Sequence, residues 1–466
     1  MSTNRRSFIR NIALGSGAVA SAIPENGYAN LMNTAPAAYN MCGYAAPKLP
    51  TVRVGIVGLG MRGPGAVDRL SYIEGVEIKA LCDKDSTRVD KAQNILTKKG
   101  LPKAKSYSGE EGWKALCESK DIDLVYVTTP WHLHTPISVY AMKNGKHAAS
   151  EVPAAKTIDE CWELVETSEK TRQHMMMLEN CCYDFFELIT LNMARNGMFG
   201  EIVHAEGAYI HDLSKDYLFD KDGYADMWRL KENIQNNGSL YPTHGLGPIA
   251  QCMNINRGDK FDHLVSMSTN DFSLGAMANE LAAKDEFFNQ FANKKYRGNM
   301  NTTIIKSALG KTLMVQHDVS TPRPYSRIHL VSGTKGAAQK WPGPERIALG
   351  HSWMKSEEMK AIEEKYTPPI VKHIGEIAKN VGGHGGMDFI MDWRLIDCLR
   401  NGLPLDQNVY DAASWTAAGL LSEASVNNRS RTVDFPDFTR GGWKTNTPHD
   451  MTLNGGATTG VRNVKG

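Results

Sequence analysis

From Val52 onward, short apolar runs alternate with stretches whose apolar residues recur every three or four positions. The run VRVGIV breaks into glycines at Gly58, Gly60 and Gly63, and Ala66, Val67, Leu70 and Ile73 then mark one face of a helix. VEIKALCD is a second strand ending in Asp83; a helix with Lys and Arg on its outer face follows it, and GEEGWKALCES leads into the buried strand DLVYVTTP. ISVYAMKNG reads as a helix closed by Gly145, KHAASEVP as a strand, Thr157-Ile158-Asp159-Glu160 as the capping box of the next helix, and MMMLEN as a further short strand. This alternation, from Thr51 to about Met177, predicts an α/β domain of the Rossmann kind, a doubly wound parallel sheet.

The period then changes. Between roughly residues 200 and 335 the runs EIVHAEGAYI, DHLVSMST, TTIIKSA, TLMVQHDV and RIHLVSGT follow one another without intervening helices, which predicts an open, mostly antiparallel sheet in a C-terminal α+β domain. One face of such a sheet packs and the other stays free. The free face is a floor for a substrate pocket or a seat for a second copy, so a homo-oligomer is open to the chain. GGHGGMDFIMDWRLIDCLRNG carries a helix with acids and aromatics. The expected division is 51–177 for the Rossmann domain, 178–438 for the second domain and 439–466 for a polar tail.

The first thirty residues differ in character. Asn4-Arg5-Arg6-Ser7-Phe8-Ile9-Arg10 precedes the mildly apolar IALGSGAVASAI, with small residues at Ala18, Ala20 and Ala22. That is the layout of an export signal, and paired arginines before Ser-Phe-Ile match the twin-arginine type, so the expected location is periplasmic or secreted. The run is too short and glycine-rich for a membrane span, and no stable membrane insertion is expected. Residues 31–50, rich in Ala, Pro and Asn, read as a linker. In the whole chain of 466 residues, 53 Lys and Arg against 51 Asp and Glu leave a formal charge of +2, which makes no electrostatic case for nucleic acid. None of the eight cysteines forms a C-x-x-C pair, which argues against a zinc ribbon or a disulfide framework.

G-x-G-x-x-G after a strand and at a helix start lets the backbone approach a pyrophosphate, and the helix N-terminus supplies free N–H groups. Asp83 lies where an acid holds the ribose hydroxyls of NAD and would repel the extra phosphate of NADP. Gly58, Gly60, Met61, Arg62, Gly63 and Asp83 are therefore candidates for binding NAD. Ligands bind at the carboxyl edge of such sheets, which puts Trp131, His132, Leu133 and His134, and then Glu151 and Val152, at the nicotinamide half. His132 and His134 also have the spacing that opens some metal sites, but no carboxylate or cysteine lies near at ligand spacing, and no metal is expected. Tyr241-Pro242-Thr243-His244 and the Arg-Pro-Tyr ending at Tyr325 hold groups that move protons; on the residues alone, plain turns are an equal reading.

VGIVGLGMRGPG, TPWHLH, GKHAASEVP and the following antiparallel domain resemble the superfamily of glucose-fructose oxidoreductase and inositol dehydrogenase, over nearly all of the chain after its N-terminal segment. Ordinary members carry Glu-Lys-Pro where this chain has Glu151-Val152-Pro153, and that lysine assists hydride transfer; its absence argues against a simple sugar dehydrogenase. With LENCCYDFFE, AYIHDL, WRL, SLYPTHGLGP, STPRPYS and GGHGGMDF, the departure looks like glycoside hydrolase family 109, the NAD-dependent N-acetylgalactosaminidases. The resemblance implies NAD contacts at Met61, Arg62, Asp83, the turn from Trp131 to His134, Glu151, Val152 and Asn180, with Arg229 and Tyr241 close to the cofactor. It implies substrate contacts at Tyr209, Tyr241, Pro242, Thr243, His244 and Tyr325, and Tyr183 falls in a matching stretch.

The implied reaction removes terminal, alpha-linked N-acetylgalactosamine from glycans through oxidation at C3, elimination across C1 and C2, addition of water and re-reduction. It is an exception to two-carboxylate glycosidase chemistry. His244 is the candidate base for the C3 hydroxyl, and Tyr325 and Tyr241 are candidates for the other proton transfers, with Arg229 or Arg323 as the cation that eases a tyrosine's ionisation. His384, flanked by glycines, is an open choice between pocket and loop, and Asp388 reads as a helix acid. The competing readings are a secreted NAD-dependent sugar oxidoreductase and a non-catalytic sugar-binding module.

Overall fold

Strands buried on both faces read as continuous apolar runs, and the central strands here are of that kind. In the computed structural model, which describes Ala37 and residues 39–462, they assemble with their neighbours into a six-stranded sheet. Its strands are β1 (Val52–Val57), β2 (Val76–Asp83), β3 (Lys105–Ser108), β4 (Leu124–Val127), β5 (His147–Ser150) and β6 (Met175–Met177). They lie in the order β3-β2-β1-β4-β5-β6, with every pair parallel. The order reverses between β1 and β4, and the crevice at their carboxyl ends is where such sheets take ligands. The expected export signal lies outside the described residues.

The second sheet has eight strands: β7 (Ile202–Ile210), β8 (Phe261–Ser268), β9 (Asn301–Ser307), β10 (Thr312–Asp318), β11 (Leu330–Gly333), β12 (Ala337–Gln339), β13 (Arg346–Ala348) and β14 (Val433–Asp434). The order is β13-β12-β11-β7-β10-β9-β8-β14. It is mostly antiparallel, as expected, but β7 and β10 run parallel at its centre. The expectation of strands without intervening helices fails: helices Trp228–Gln235 and Thr243–Cys252 separate β7 from β8, and Leu274–Ala282 follows β8. The reason is local. Helix Thr243–Cys252 contains Pro248 and two glycines, Gly245 and Gly247, residues that blur a helical pattern in sequence.

That helix lies directly on β7 because glycines meet there. A Cβ added to Gly245 would sit 2.1 Å from the Ala208 nitrogen, and one added to Gly207 would sit 2.3 Å from the Gly245 carbonyl oxygen. The close approach sets Tyr209, at the end of β7, beside the start of the helix.

Across the boundaries expected at 177 and 438 the described residues form one compact unit. Helix Met387–Asn401, from the C-terminal half, packs on the parallel sheet: Asp392 accepts hydrogen bonds from Tyr126 on β4 (2.7 Å) and from Arg69 Nε (2.8 Å). Helix Val409–Asn427 packs on helix Ile158–Thr171. The described part of the segment expected as a linker is held too, with Met41 buried and the Tyr44 ring 5.1 Å from that of His174. The polar tail returns to the Rossmann half, where Arg462 donates to the carbonyls of Ser71 (3.0 Å) and Val76 (2.7 Å).

Candidate active site

A cleft of about 500 Å³ opens along the carboxyl edge of the parallel sheet. Its floor is the glycine turn. Gly58 has φ +92°, and a Cβ there would meet the Thr128 carbonyl carbon and Thr129 nitrogen at 2.7 Å; a Cβ on Gly63 would lie 2.1 Å from the Gly58 carbonyl oxygen. A Cβ on Gly60 would meet nothing nearer than Arg88 Nη1 at 3.5 Å, so that glycine faces open space in the cleft. Helix Gly63–Ser71 begins at the cleft with no side-chain cap on its first turn, which leaves N–H groups for an anion. Asp83 Oδ2 accepts the Leu59 N–H (2.6 Å) and Oδ1 the Asp85 N–H (3.0 Å), so the carboxylate fixes the turn and faces the cleft. Arg88 and Lys91 line the same end. Bare backbone, an uncapped helix start and a ribose-binding acid together fit a dinucleotide.

Arg62 crosses the cleft and donates to Glu151 (2.8 Å) at the end of β5. It also pairs with Asp388 (3.3 Å), a fully buried carboxylate that holds Arg69 (3.5 Å), Asn180 (2.5 Å) and His384 (2.9 Å). Burial raises the Asp388 pKa, but His384, Arg62 and Arg69 overcome it and hold the group far below the usual carboxylate range. Asp388, read from sequence as a helix acid, is thus the hub under the cofactor cleft. Val152 is buried beside Glu151 and offers no ammonium.

After β4, Trp131 lines the cleft and stacks on Tyr241, with ring centroids 5.8 Å apart. His134 is buried, its Nδ1 2.7 Å from the Pro153 carbonyl and its Nε2 2.8 Å from that of Thr129. His132 is exposed, and neither it nor Leu133 lines the cleft. The expectation that both histidines face the nicotinamide is corrected for His132; His134 lines the cleft.

Tyr241 joins the cleft to a cluster of proton-carrying groups. The Tyr209 ring lies 5.0 Å from Tyr241, 5.2 Å from His244 and 6.3 Å from Tyr325. His244 Nδ1 is 2.7 Å from Glu179 Oε1, so its other nitrogen is the one left for a substrate. Glu179 is fully buried at the end of β6; burial raises its pKa, and His244 and the Cys181 N–H bring it below its ordinary value, so it stays a carboxylate. Pro242 and Thr243 are buried at the helix start. Tyr183 is buried, with its hydroxyl 3.4 Å from Asp406. Glu179, Cys181 and His244 also bring three metal-ligating atoms within 4.8 Å of one another, a grouping that the Glu179–His244 hydrogen bond already accounts for.

Of the two expected cations, Arg229 is in place and Arg323 is not. Arg229 is buried, hydrogen-bonds the Tyr224 hydroxyl and lies 4.7 Å from the centre of the Tyr241 ring. Arg323 is exposed; Arg327 instead donates to the Tyr325 hydroxyl (3.0 Å). Burial pushes Tyr209 up to about 12 and raises Tyr241 and Tyr325 further, with the arginines opposing it only in part. These phenols therefore hold their protons at neutral pH. Sequence reasoning missed Glu179, Arg327, Tyr224 and Trp228. Glu179 had a signal, as the acid beside Asn180 at a strand's carboxyl end; Trp228 and Tyr224, which line the cleft beside Arg229, had only their nearness to the WRL motif.

Comparison with known proteins agrees with this geometry. Residues 52–179 match the oxidoreductase family with the NAD-binding Rossmann fold, and residues 183–445 match the C-terminal domain of glycosyl hydrolase 109. An alpha-N-acetylgalactosaminidase of Bacteroides fragilis is 51% identical over 416 residues, covering 88% of this chain and 97% of that protein. Glycosyl hydrolase family 109 protein 1 of the same species is 50% identical over 421 residues, 87% of this chain and 89% of its own length. Among solved structures, levoglucosan dehydrogenase in complex with NADH and levoglucosan aligns with TM-score 0.62 at 17% identity, over 83% of this chain and 100% of that one. Scyllo-inositol dehydrogenase from Lactobacillus casei, with bound NAD(H) and scyllo-inositol, aligns with TM-score 0.58 at 15% identity, over 82% and 99%. The structural likenesses speak to fold alone, whereas the sequence matches run through both halves of the site: the chain belongs to glycosyl hydrolase family 109.

Proposed function

We propose that the protein is an NAD-dependent alpha-N-acetylgalactosaminidase that releases terminal N-acetylgalactosamine from glycans. The observation that carries the reading is the meeting of a dinucleotide cleft, lacking a lysine at Val152, with a carboxylate-backed histidine and three protonated tyrosines. A simple dehydrogenase needs one proton relay, whereas this site has groups for several. The family resemblance and the 51% identical alpha-N-acetylgalactosaminidase support the substrate and the anomer.

NAD, when bound, supplies the reversible removal of hydride from the sugar ring. The glycine turn, Arg62 and Asp83 would hold it, and Trp131, Glu151, Tyr241 and Arg229 line the same cleft. His244, fixed by Glu179, takes the proton of the C3 hydroxyl and returns it. Tyr209 and Tyr241 hold the sugar oxygens beside it, and Tyr325 stands on the far side of Tyr209 as a proton donor. Incubation with alpha and beta aryl N-acetylhexosaminides tests the reading. Release of the aglycone from the alpha galacto compound, with no net absorbance at the reduced-nicotinamide band, is expected. Stoichiometric reduced nicotinamide without release would instead establish a sugar oxidoreductase, and neither signal would leave a binding module.

The paired arginines at Arg5 and Arg6 and the apolar run after them support export by the twin-arginine route, with the cofactor loaded before transport. A fusion whose reporter stays in the cytoplasm would overturn that. The open sheet face, with Met267 66% and Ile304 47% exposed, supports association of copies of the chain, which sedimentation would read directly.

A further inference from the structure

The group behind Tyr325 is more elaborate than a packing contact requires. Residues 325–327 are pinned to the end of β7, where the Ile210 N–H donates to the Ser326 carbonyl (3.0 Å) and the Ala208 N–H to that of Arg327 (2.8 Å). Arg327 is 3% exposed. Its Nε and Nη2 both reach Glu187 Oε1 (3.0 and 2.8 Å), and Nη2 also reaches Asp184 Oδ2 (2.9 Å). Asp184 is held in turn by Lys340. Two edges of the guanidinium are thereby locked onto carboxylates, and the remaining nitrogen, Nη1, points at the Tyr325 hydroxyl oxygen at 3.0 Å.

A guanidinium has five donors and no acceptor, so at this contact the phenol oxygen accepts. Its own hydrogen must point elsewhere, and among the described residues no protein group accepts it. The nearby rings of Tyr209, His211 and Trp341 surround the phenol without supplying a partner for that proton.

We infer that Arg327 is a positioning residue that aims the Tyr325 O–H at the oxygen of the departing group and steadies the phenolate formed when the proton leaves. The inference rests on the proposed glycosidase reading. In the step it serves, a base removes the C2 proton, a double bond forms between C1 and C2, and the C1–O bond breaks with its electron pair going to the aglycone oxygen. That oxygen takes the Tyr325 proton. When water adds, its oxygen bonds to C1, C2 regains a proton, and the phenolate recovers its own proton from the water. A phenolate 3.0 Å from a fixed guanidinium is favoured over the same phenolate without it, and this contact strengthens as charge develops. Burial holds the phenol protonated between turnovers.

The test uses leaving groups that need protonation to different degrees. Dinitrophenyl, nitrophenyl and methyl alpha-N-acetylgalactosaminides are hydrolysed by wild type, Tyr325→Phe, Arg327→Lys and Arg327→Met, each checked for bound nucleotide by mass spectrometry. The expected result is a loss in kcat of about 10²-fold on the methyl glycoside and a clearly smaller loss on the dinitrophenyl one for Tyr325→Phe and Arg327→Met, with Arg327→Lys between. The double variant Tyr325→Phe with Arg327→Met should lose no more than either single one. An equal loss on every leaving group, or losses that multiply in the double variant, would overturn the inference while the glycosidase reading stands. If Arg327→Met does not fold, because Glu187 and Asp184 lose their partner, the same comparison is decided by Arg327→Lys, which keeps the charge. If the wild type cleaves none of the three, the glycosidase reading fails first.

Discussion

At the scale of single residues, the proposed reaction depends on carboxylates that stand behind the groups facing the cleft. Glu179 accepts from His244 at 2.7 Å and from the Cys181 N–H at 3.1 Å, which fixes the ring nitrogen that carries the hydrogen and supports the imidazolium formed when His244 takes a proton. Glu179→Gln preserves shape but not charge. It should lower kcat by about 10²-fold with KM and bound nucleotide nearly unchanged, because the loss falls on a proton transfer and not on sugar or cofactor contacts. A variant with wild-type kcat would show that Glu179 only fills space. Asp388 makes the matching case on the cofactor side. Asp388→Asn removes one of two carboxylates from each arginine, leaving Arg69 on Asp392 and Arg62 on Glu151 across the cleft. The expected outcome is weaker nucleotide retention, read as loss of NAD during gel filtration, ahead of any change in hydrolysis by protein resupplied with NAD.

At the scale of elements, two glycine contacts set the two halves of the site and can be separated. A methyl group on Gly63 meets the Gly58 carbonyl oxygen at 2.1 Å and forces the helix away from the β1 turn, so Gly63→Ala should give protein without nucleotide. A methyl group on Gly245 meets the Ala208 nitrogen at 2.1 Å and lifts helix Thr243–Cys252 from β7, so Gly245→Ala should keep its nucleotide and lose hydrolysis. Mass spectrometry of the released nucleotide beside an aryl glycoside assay distinguishes them, and the same defect in both variants would refute this division. The first contact was legible in the sequence because a strand, three glycines, a helix and an acid follow one another within a short span. The second was not, since Gly207 and Gly245 meet only after a long excursion of chain. Glu179 and His244 lie 65 residues apart, and Glu187 and Arg327 lie 140 apart, so no local pattern pairs them. Helix Val409–Asn427 gave no signal because it is buried on nearly all sides and lacks an apolar stripe. Strands β12, β13 and β14, with three, three and two residues, are too short to show alternation.

At the scale of the whole molecule, histidines buried in separate regions bind the fold's stability to pH. Buried His147 on β5 and His174 before β6 lie in the Rossmann half, buried His329 next to β11 in the second sheet, and half-buried His449 in the returning tail. Burial pulls their pKa values down from 6.5, to about 4 for His147 and His449 and about 3 for His174 and His329. The folded chain thus refuses protons that the unfolded chain binds below 6.5. Each contribution is fully present above that value and is lost as pH falls toward the folded pKa, at about 1.4 kcal/mol per pH unit per histidine. His329 and His449 sit apart from one another and from the pair His147 and His174, whose rings lie 5.2 Å apart, so within one cooperative transition their losses add while those of the pair are coupled. Calorimetry from pH 7.5 downward should show Tm nearly level to about pH 6.5 and then falling steeply, before most carboxylates begin to take up protons. His449→Gln should flatten that fall by the share of one group without changing Tm's independence of pH above it. A Tm that stays level to pH 5 would mean that these rings accept protons in place, which their burial argues against.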